Sequence, residues 1–293
     1  MFLRTTLLAV IFGLGAAPTT PVSAPVTSHL CPSDAKLATL LAASDIVLIG
    51  KMAVPKERLI AEARKSSPDY LDIPIQIESV VRGGSMNSVT VRFYPVDAAY
   101  KPSNRALVEL SDKPAILFLT QIDDGESGLY FAGYTPDALK LADDQTVAAT
   151  RAEAARQATI LATPRPNAGL PYFAKVRTLI AQLGQVSGSQ QQRIFDQLEA
   201  LAAAAVPAII AQMDDRRPLR TQEISLVNHA ADAFEGSRHY GPKQVVDGLD
   251  AVLNQITGES FGSIFNGGSS RQRDSVVAGW RVYAADLACK TSK

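Results

Sequence analysis

The hydrophobic period of this chain changes once, at Thr163-Pro164-Arg165-Pro166-Asn167-Ala168-Gly169-Leu170-Pro171. Each proline removes a backbone donor and fixes φ, so neither a ladder nor a helix runs through such a stretch. Before it, apolar residues alternate with polar ones; after it, they recur every third or fourth position. A chain divided in this way is expected to be α+β, with a β-rich unit over 31–161, a linker over 162–171 and an all-α unit over 172–293.

In the first unit, Leu37, Leu40 and Leu41 mark one short helix, and the β-branched run Asp45-Ile46-Val47-Leu48-Ile49-Gly50 reads as a buried strand ended by glycine. Lys56 to Lys65 is a charged, helix-compatible excursion. Ile73, Ile75 and Ile77 alternate with Pro74, Gln76 and Glu78, and Val89, Val91 and Phe93 repeat the pattern after Gly83-Gly84. Pro74 cannot donate to a ladder and so belongs at an edge or bulge. Ala115 to Thr120 and Leu129 to Tyr134 flank an acidic, glycine-containing hairpin loop. Strand candidates joined by such turns suggest a small barrel of five strands, followed by an Ala- and Arg-rich helix over Gln145 to Leu161.

In the second unit, Phe173, Val176, Leu179, Ile180 and Leu183 share a helical face, and Ser189 with Gln192 reads as a capping box before Ile194, Phe195 and Leu198. Val206-Pro207 opens a helix carrying Ile209, Ile210 and Met213. A weaker segment over Ile224 to Phe234 precedes two longer helices. One carries Val245, Val246, Leu249, Val252, Leu253 and Ile256; the other carries Val276, Val277, Trp280, Tyr283 and Leu287 behind a second capping box of Ser269 and Gln272.

On these residues two family resemblances rest. Cys31 ahead of Ser44-Asp45-Ile46-Val47-Leu48-Ile49-Gly50-Lys51, then Ile75 to Gly83, then Pro114-Ala115-Ile116-Leu117-Phe118-Leu119, resembles the netrin-like and tissue-inhibitor-of-metalloproteinases version of the OB-fold. That resemblance implies an OB-like barrel and a protease-inhibitor-like module. In those inhibitors the N-terminal cysteine and a second one two residues on grip the protease zinc; here Pro32 and Ser33 follow Cys31, so only the barrel carries over. Ala205-Val206-Pro207-Ala208-Ile209-Ile210 followed by Asp214-Asp215-Arg216-Arg217-Pro218 resembles the second helix and turn of a HEAT-type repeat, which implies a HEAT-like helical array. The run from Tyr240 through Trp280 looks like a tail of exported bacterial HEAT-like proteins, a likeness that implies no activity.

Met1-Phe2-Leu3-Arg4, the apolar Leu7 to Leu14 and the small residues out to Val22-Ser23-Ala24 read as a secretory signal over 1–24, with cleavage near Ala16 or Ala17 as the alternative. Export to the periplasm or medium is therefore expected, with no membrane span in the mature chain. Export also permits one disulfide between the only two cysteines, Cys31 and Cys289; two unpaired thiols are the alternative. Lys+Arg and Asp+Glu balance at 29 each, so no basic surplus marks the chain as a partner for nucleic acid.

Motifs with chemistry are few. Gly258-Glu259-Ser260-Phe261-Gly262 spells the nucleophile-elbow pattern, but a helix rather than a strand precedes the serine and no histidine follows it. The histidines are His29, His229 and His239, and only in another triad order could His229 or His239 serve as its base. The bland reading is a helix C-cap at Gly258 with a turn after it. Ser33-Asp34-Ala35-Lys36 matches S-x-x-K without the companion motifs. Asp123, Asp124 and Glu126 lack EF-hand spacing and read as a solvated turn, as do Asp214-Asp215. His229, Glu235 and His239 lack the spacing of a zinc set. Asn266-Gly267-Gly268-Ser269-Ser270 opens a helix N-terminus, where capping by Ser269 competes with anion binding. Trp280 reads as core.

No catalytic residues, cofactor or metal site are expected. The sequence points to a non-catalytic exported binding or scaffold protein whose partner is another protein. The competing reading is a serine hydrolase using Ser260.

Overall fold

A computed structural model describes residues 30–63, 71–93, 107–121, 129–132, 136–163, 167, 169–229 and 234–291. The fold is α+β. Strand β1 (Ile46–Met52) lies between β2 (Leu71–Arg82) and β4 (Ala115–Gln121), antiparallel to both. β2 pairs antiparallel with β3 (Ser88–Phe93), placing Ile73 opposite Val91 and Ile75 opposite Val89. β3 runs parallel to β5 (Leu129–Ala132), and β5 pairs antiparallel with β4. The pairings thus lead from β1 through β2, β3 and β5 to β4, which itself bonds to β1. A short β6 (Leu139–Leu141), absent from the sequence expectation, adds antiparallel to β4.

Two patterns of burial explain the two kinds of strand sequence. Ile46, Leu48, Ile73, Ile75, Val89, Val91, Leu117 and Leu119 meet in one core. The opposite faces of β1 and β4, through Val47, Ile49, Ile116 and Phe118, pack on Leu37 and Leu41 of helix α1 (Ala35–Ala42). β1 and β4 are therefore covered on both faces and read as continuous apolar runs, while β2 and β3 are covered on one and alternate. Gly50 is required where β1 shifts register against β2, since a Cβ there would sit 2.5 Å from the Gln76 carbonyl oxygen. Pro74 lies just past the Met52–Ile75 pair, at the end of the β1 ladder, and its carbonyl accepts from the Ala53 amide.

The excursion after β1 carries helix α2 (Lys56–Ala63). Helix α3 (Asp144–Ala162) follows β6 and is capped by Asp143. Beyond the proline stretch come α4 (Phe173–Gln182), α5 (Gly188–Glu199), α6 (Val206–Ile210), the hairpin β7 (Ile224–Val227) and β8 (Ser237–Tyr240), α7 (Val245–Thr257) and α8 (Ser270–Thr291). Their core gathers Val176, Phe195, Ile209, Leu249, Val252 and Trp280, and it also takes in Ala42 and Ile160 from before the linker.

Two expectations are corrected. The capping box of α5 is Ser187 with Gln190, two residues before the pair read from sequence. The amides of Gln191 and Gln192 instead clamp backbone: Gln192 exchanges two hydrogen bonds with Ser225, at 2.6 and 2.9 Å, and Gln191 does the same with Thr221. That clamp holds Ser225, so Ile224–Val227 enters as a strand, pairs with β8, and the second unit is not all-α as expected.

Helix α8 joins the two halves, packing on α1 and α3 on one side and on α6 and α7 on the other. Cys289, near its end, is disulfide-bonded to Cys31, with the Cα atoms 5.6 Å apart. Beside that bond Arg156 of α3 donates to Glu153 at 2.6 Å, to Asp286 of α8 at 2.8 Å and to the Leu30 carbonyl at 2.6 Å. Gln157 donates to the Ala38 carbonyl and accepts from Arg82, itself donating to the Leu41 carbonyl. The groups left without water at this junction are thus bonded to one another.

Candidate ligand-binding cleft

Gly258 is the left-handed C-cap of α7, at φ 71°, and its amide donates to the Asn254 carbonyl at 2.8 Å. The Ser260 hydroxyl donates to the Gly262 carbonyl at 2.9 Å. His239 Nδ1 lies 2.8 Å from the Ser225 hydroxyl, and His229 Nε2 lies 3.1 Å from a Glu199 carboxylate oxygen, so neither imidazole is bonded to Ser260. His29, the expected signal over 1–24, and Asp123, Asp124 and Glu126 lie outside the described residues.

Asp34, not Ser33, caps α1, and its carboxylate accepts from the amides of Lys36 and Leu37. Asp215 holds the Arg217 guanidinium, which donates to the carbonyls of Ile180, Ala181 and Leu183 and so closes the C-terminal end of α4. The N-terminus of α8 is closed by Ser269 and Gln272, and Asn266 accepts from the Gly241 amide. No group of three or more metal-ligating side chains occurs among the described residues, and no described helix is long and apolar enough to cross a membrane.

Trp280 is fully buried, as its helical position implies, and its indole N–H donates to Asp250 at 2.7 Å. Asp250 was not singled out in the sequence. It sits on the buried face of α7, one turn from Asp247, which is bonded to Arg273 at 2.6 Å. Burial pushes the Asp250 carboxyl up to about 7, against the hydrogen bonds from Trp280 and the Ile264 amide, and the Asp247 charge adds to the rise. Its second oxygen is buried without a hydrogen-bond partner.

The remaining feature is a cleft of about 830 Å³ where the end of α3, the linker, α6 and α8 meet. Its walls are aliphatic. Ile160 and Leu161 come from α3, Leu170 and Pro171 from the linker, and Ala203, Ala204 and Pro207 from the turn into α6. From α8 come Arg281, Ala284 and Ala288, spaced so that one helix face looks into the cleft. The alanines matter because they are small: helix axes held apart by larger neighbours leave space wherever methyl groups line the gap.

The polar side chains in its lining are Thr163, Asn167 and the Asp214–Arg281 ion pair. Strained backbone flanks both walls. Tyr172, at φ 61°, and Ala202, at φ 55° and ψ −159°, are the non-glycine residues with positive φ among those described. Each adjoins a lining residue, Pro171 and Ala203. Such conformations are costly for residues with a Cβ and concentrate where ligands are held.

No family model, curated protein or solved structure matches the chain. Nothing in the sequence pointed to the cleft, whose lining comes from four separated segments. The nearest signal was the run of small residues from Ala202 to Ala205, which a helical-face reading treats as filler.

Proposed function

We propose that this is a non-catalytic exported binding protein that uses the cleft between α3, α6 and α8 to hold an apolar occupant. The observation that carries the reading is a cavity of about 830 Å³, within the size range of ligand sites, with a mostly aliphatic lining and few polar side chains. Its charged groups are already paired with each other, and among the described lining residues Thr163 is the sole hydroxyl, with no base beside it in that lining.

Around this site we read the first half as an OB-like barrel and the second as a HEAT-like helical scaffold. The return of the pairings to β1 and the parallel β3–β5 pair support the first. The packing of α4, α5 and α6 about Val176, Phe195 and Ile209 supports the second, although the β7–β8 hairpin interrupts a regular stack. Export rests on the leader read from residues 1–24, and N-terminal sequencing of the protein recovered outside the cytoplasm tests it.

The cleft is tested with the uncharged fluorophore N-phenyl-1-naphthylamine. Wild type is expected to bind it with a rise in emission, and Ala284→Phe, which fills the cavity, to lose that binding while melting at the same temperature or higher. Equal probe binding by the two proteins would place the apolar site elsewhere.

A further inference from the structure

Building on the reading of the cleft as a ligand site, we propose that its occupant is a single-chain alkyl carboxylate, with the chain between α3, α6 and α8 and the carboxylate on Arg281. Three observations point to this chemistry. The described lining contains no aromatic side chain, so the site offers apolar contact rather than stacking, and a saturated chain gains all of its contact from the methyl and methylene groups that make up most of the walls. Along α8 the lining runs from Arg281 to Ala288, about 10 Å at the helix rise, with the charged residue at one end of that run and alanines along the rest.

The third is electrostatic. Arg281 is paired with Asp214, and the side chains of the two keep 46% and 68% of their exposure. An ion pair this open to water holds its partners weakly, so a ligand carboxylate can replace Asp214 on the guanidinium at small cost. Arginine is suited to that exchange, because its planar fork accepts a carboxylate through two parallel hydrogen bonds and sheds water more readily than an ammonium. Asp214, the more exposed of the two, is free to turn back to solvent. The cleft therefore takes an anionic head more readily than a cationic one.

The test is calorimetric titration of the disulfide-intact mature protein with decanoate, dodecanoate, dodecanol and dodecylammonium, each below its micellar concentration. Carboxylate affinity is expected to rise about fourfold per added methylene until the cleft is full. Dodecanoate is expected to bind about tenfold or more tightly than dodecanol, the value of one charge-assisted contact. Arg281→Gln, at an exposed position, should abolish that preference, and Asp214→Asn should tighten dodecanoate binding.

Equal binding of dodecanoate and dodecanol, tighter binding of dodecylammonium, or an unchanged preference in Arg281→Gln would overturn the assignment of the head group. Failure of all three dodecyl compounds, with N-phenyl-1-naphthylamine still bound and still excluded by Ala284→Phe, would overturn the alkyl chain and leave the cleft standing. If the fluorophore fails as well, the cleft is not a ligand site and both readings fall.

Discussion

Asp250→Asn should make the protein more stable at and above neutral pH, by an amount that shrinks as pH falls and vanishes only below about pH 3.8. The carboxyl lies at 1% exposure on α7, one oxygen taking the Trp280 indole N–H and the other without a partner. The charges around it are Asp247 on the same helix and Arg273 on α8, already bonded to each other. In the unfolded chain Asp250 ionises near 3.8, while in the folded protein it holds its proton to about pH 7. Between those values the folded state binds the extra proton, so stability falls as pH rises. It is fully present below about pH 3.8 and the loss is complete somewhat above pH 7.

From the two values, the ionised side chain costs at most about 4 kcal/mol at pH 8. Asparagine keeps the acceptor for Trp280 and never ionises. Urea unfolding at pH 5 and pH 8, followed by the fluorescence of the single tryptophan, measures the effect. The difference between variant and wild type is expected to grow in favour of the variant by roughly 2–3 kcal/mol between the two pH values. A difference that stays constant, or a variant less stable at pH 8 than wild type, would refute the reasoning.

Other perturbations have expected sizes. Cys289→Ser opens a ring of 258 residues and should lower stability by up to about 5 kcal/mol on the loop-entropy model, read by chemical denaturation with and without reductant. Arg156→Ala removes the guanidinium that bonds both Glu153 and Asp286 at a buried junction, and a loss of about 3–5 kcal/mol is expected in the same assay. Ser260→Ala removes one exposed hydrogen bond and should change the melting temperature little. Gly258→Ala should cost about 1–2 kcal/mol; a Cβ there meets nothing within 4 Å, so the penalty is that of the left-handed backbone alone. Melts in the reverse order would return Ser260 to consideration as more than a turn residue.

Local chemistry made much of the fold legible. The alternation of Ile73 and Ile75 with polar neighbours, the unbroken run from Ile46 to Ile49, the Gly258 cap and the stripe carrying Trp280 each report a burial pattern that a few adjacent residues determine. The disulfide was legible as a possibility because an exported chain with two cysteines permits it. The hairpin β7–β8 was not, because it is held by the side-chain amides of Gln191 and Gln192, residues 30 or more positions away whose type marks neither strand nor helix. Asp250 escaped notice for a related reason. On the stripe of Leu249, Val252 and Leu253 an acid reads as the wet face, yet α7 is buried almost all round. The cleft is the extreme case: a cavity is defined by what its lining residues do not fill, and alanines on separate helices carry no sign of which gap they will share.

The most direct test of the cleft as a binding site is methyl NMR of alanine-labelled protein during titration with N-phenyl-1-naphthylamine. The Ala204, Ala284 and Ala288 methyl resonances are expected to shift together with one saturation curve, while those of Ala38 and Ala115, buried in the other half, stay in place. Shifts confined to Ala38 and Ala115, or no saturable shift at the three cleft methyls, would contradict it.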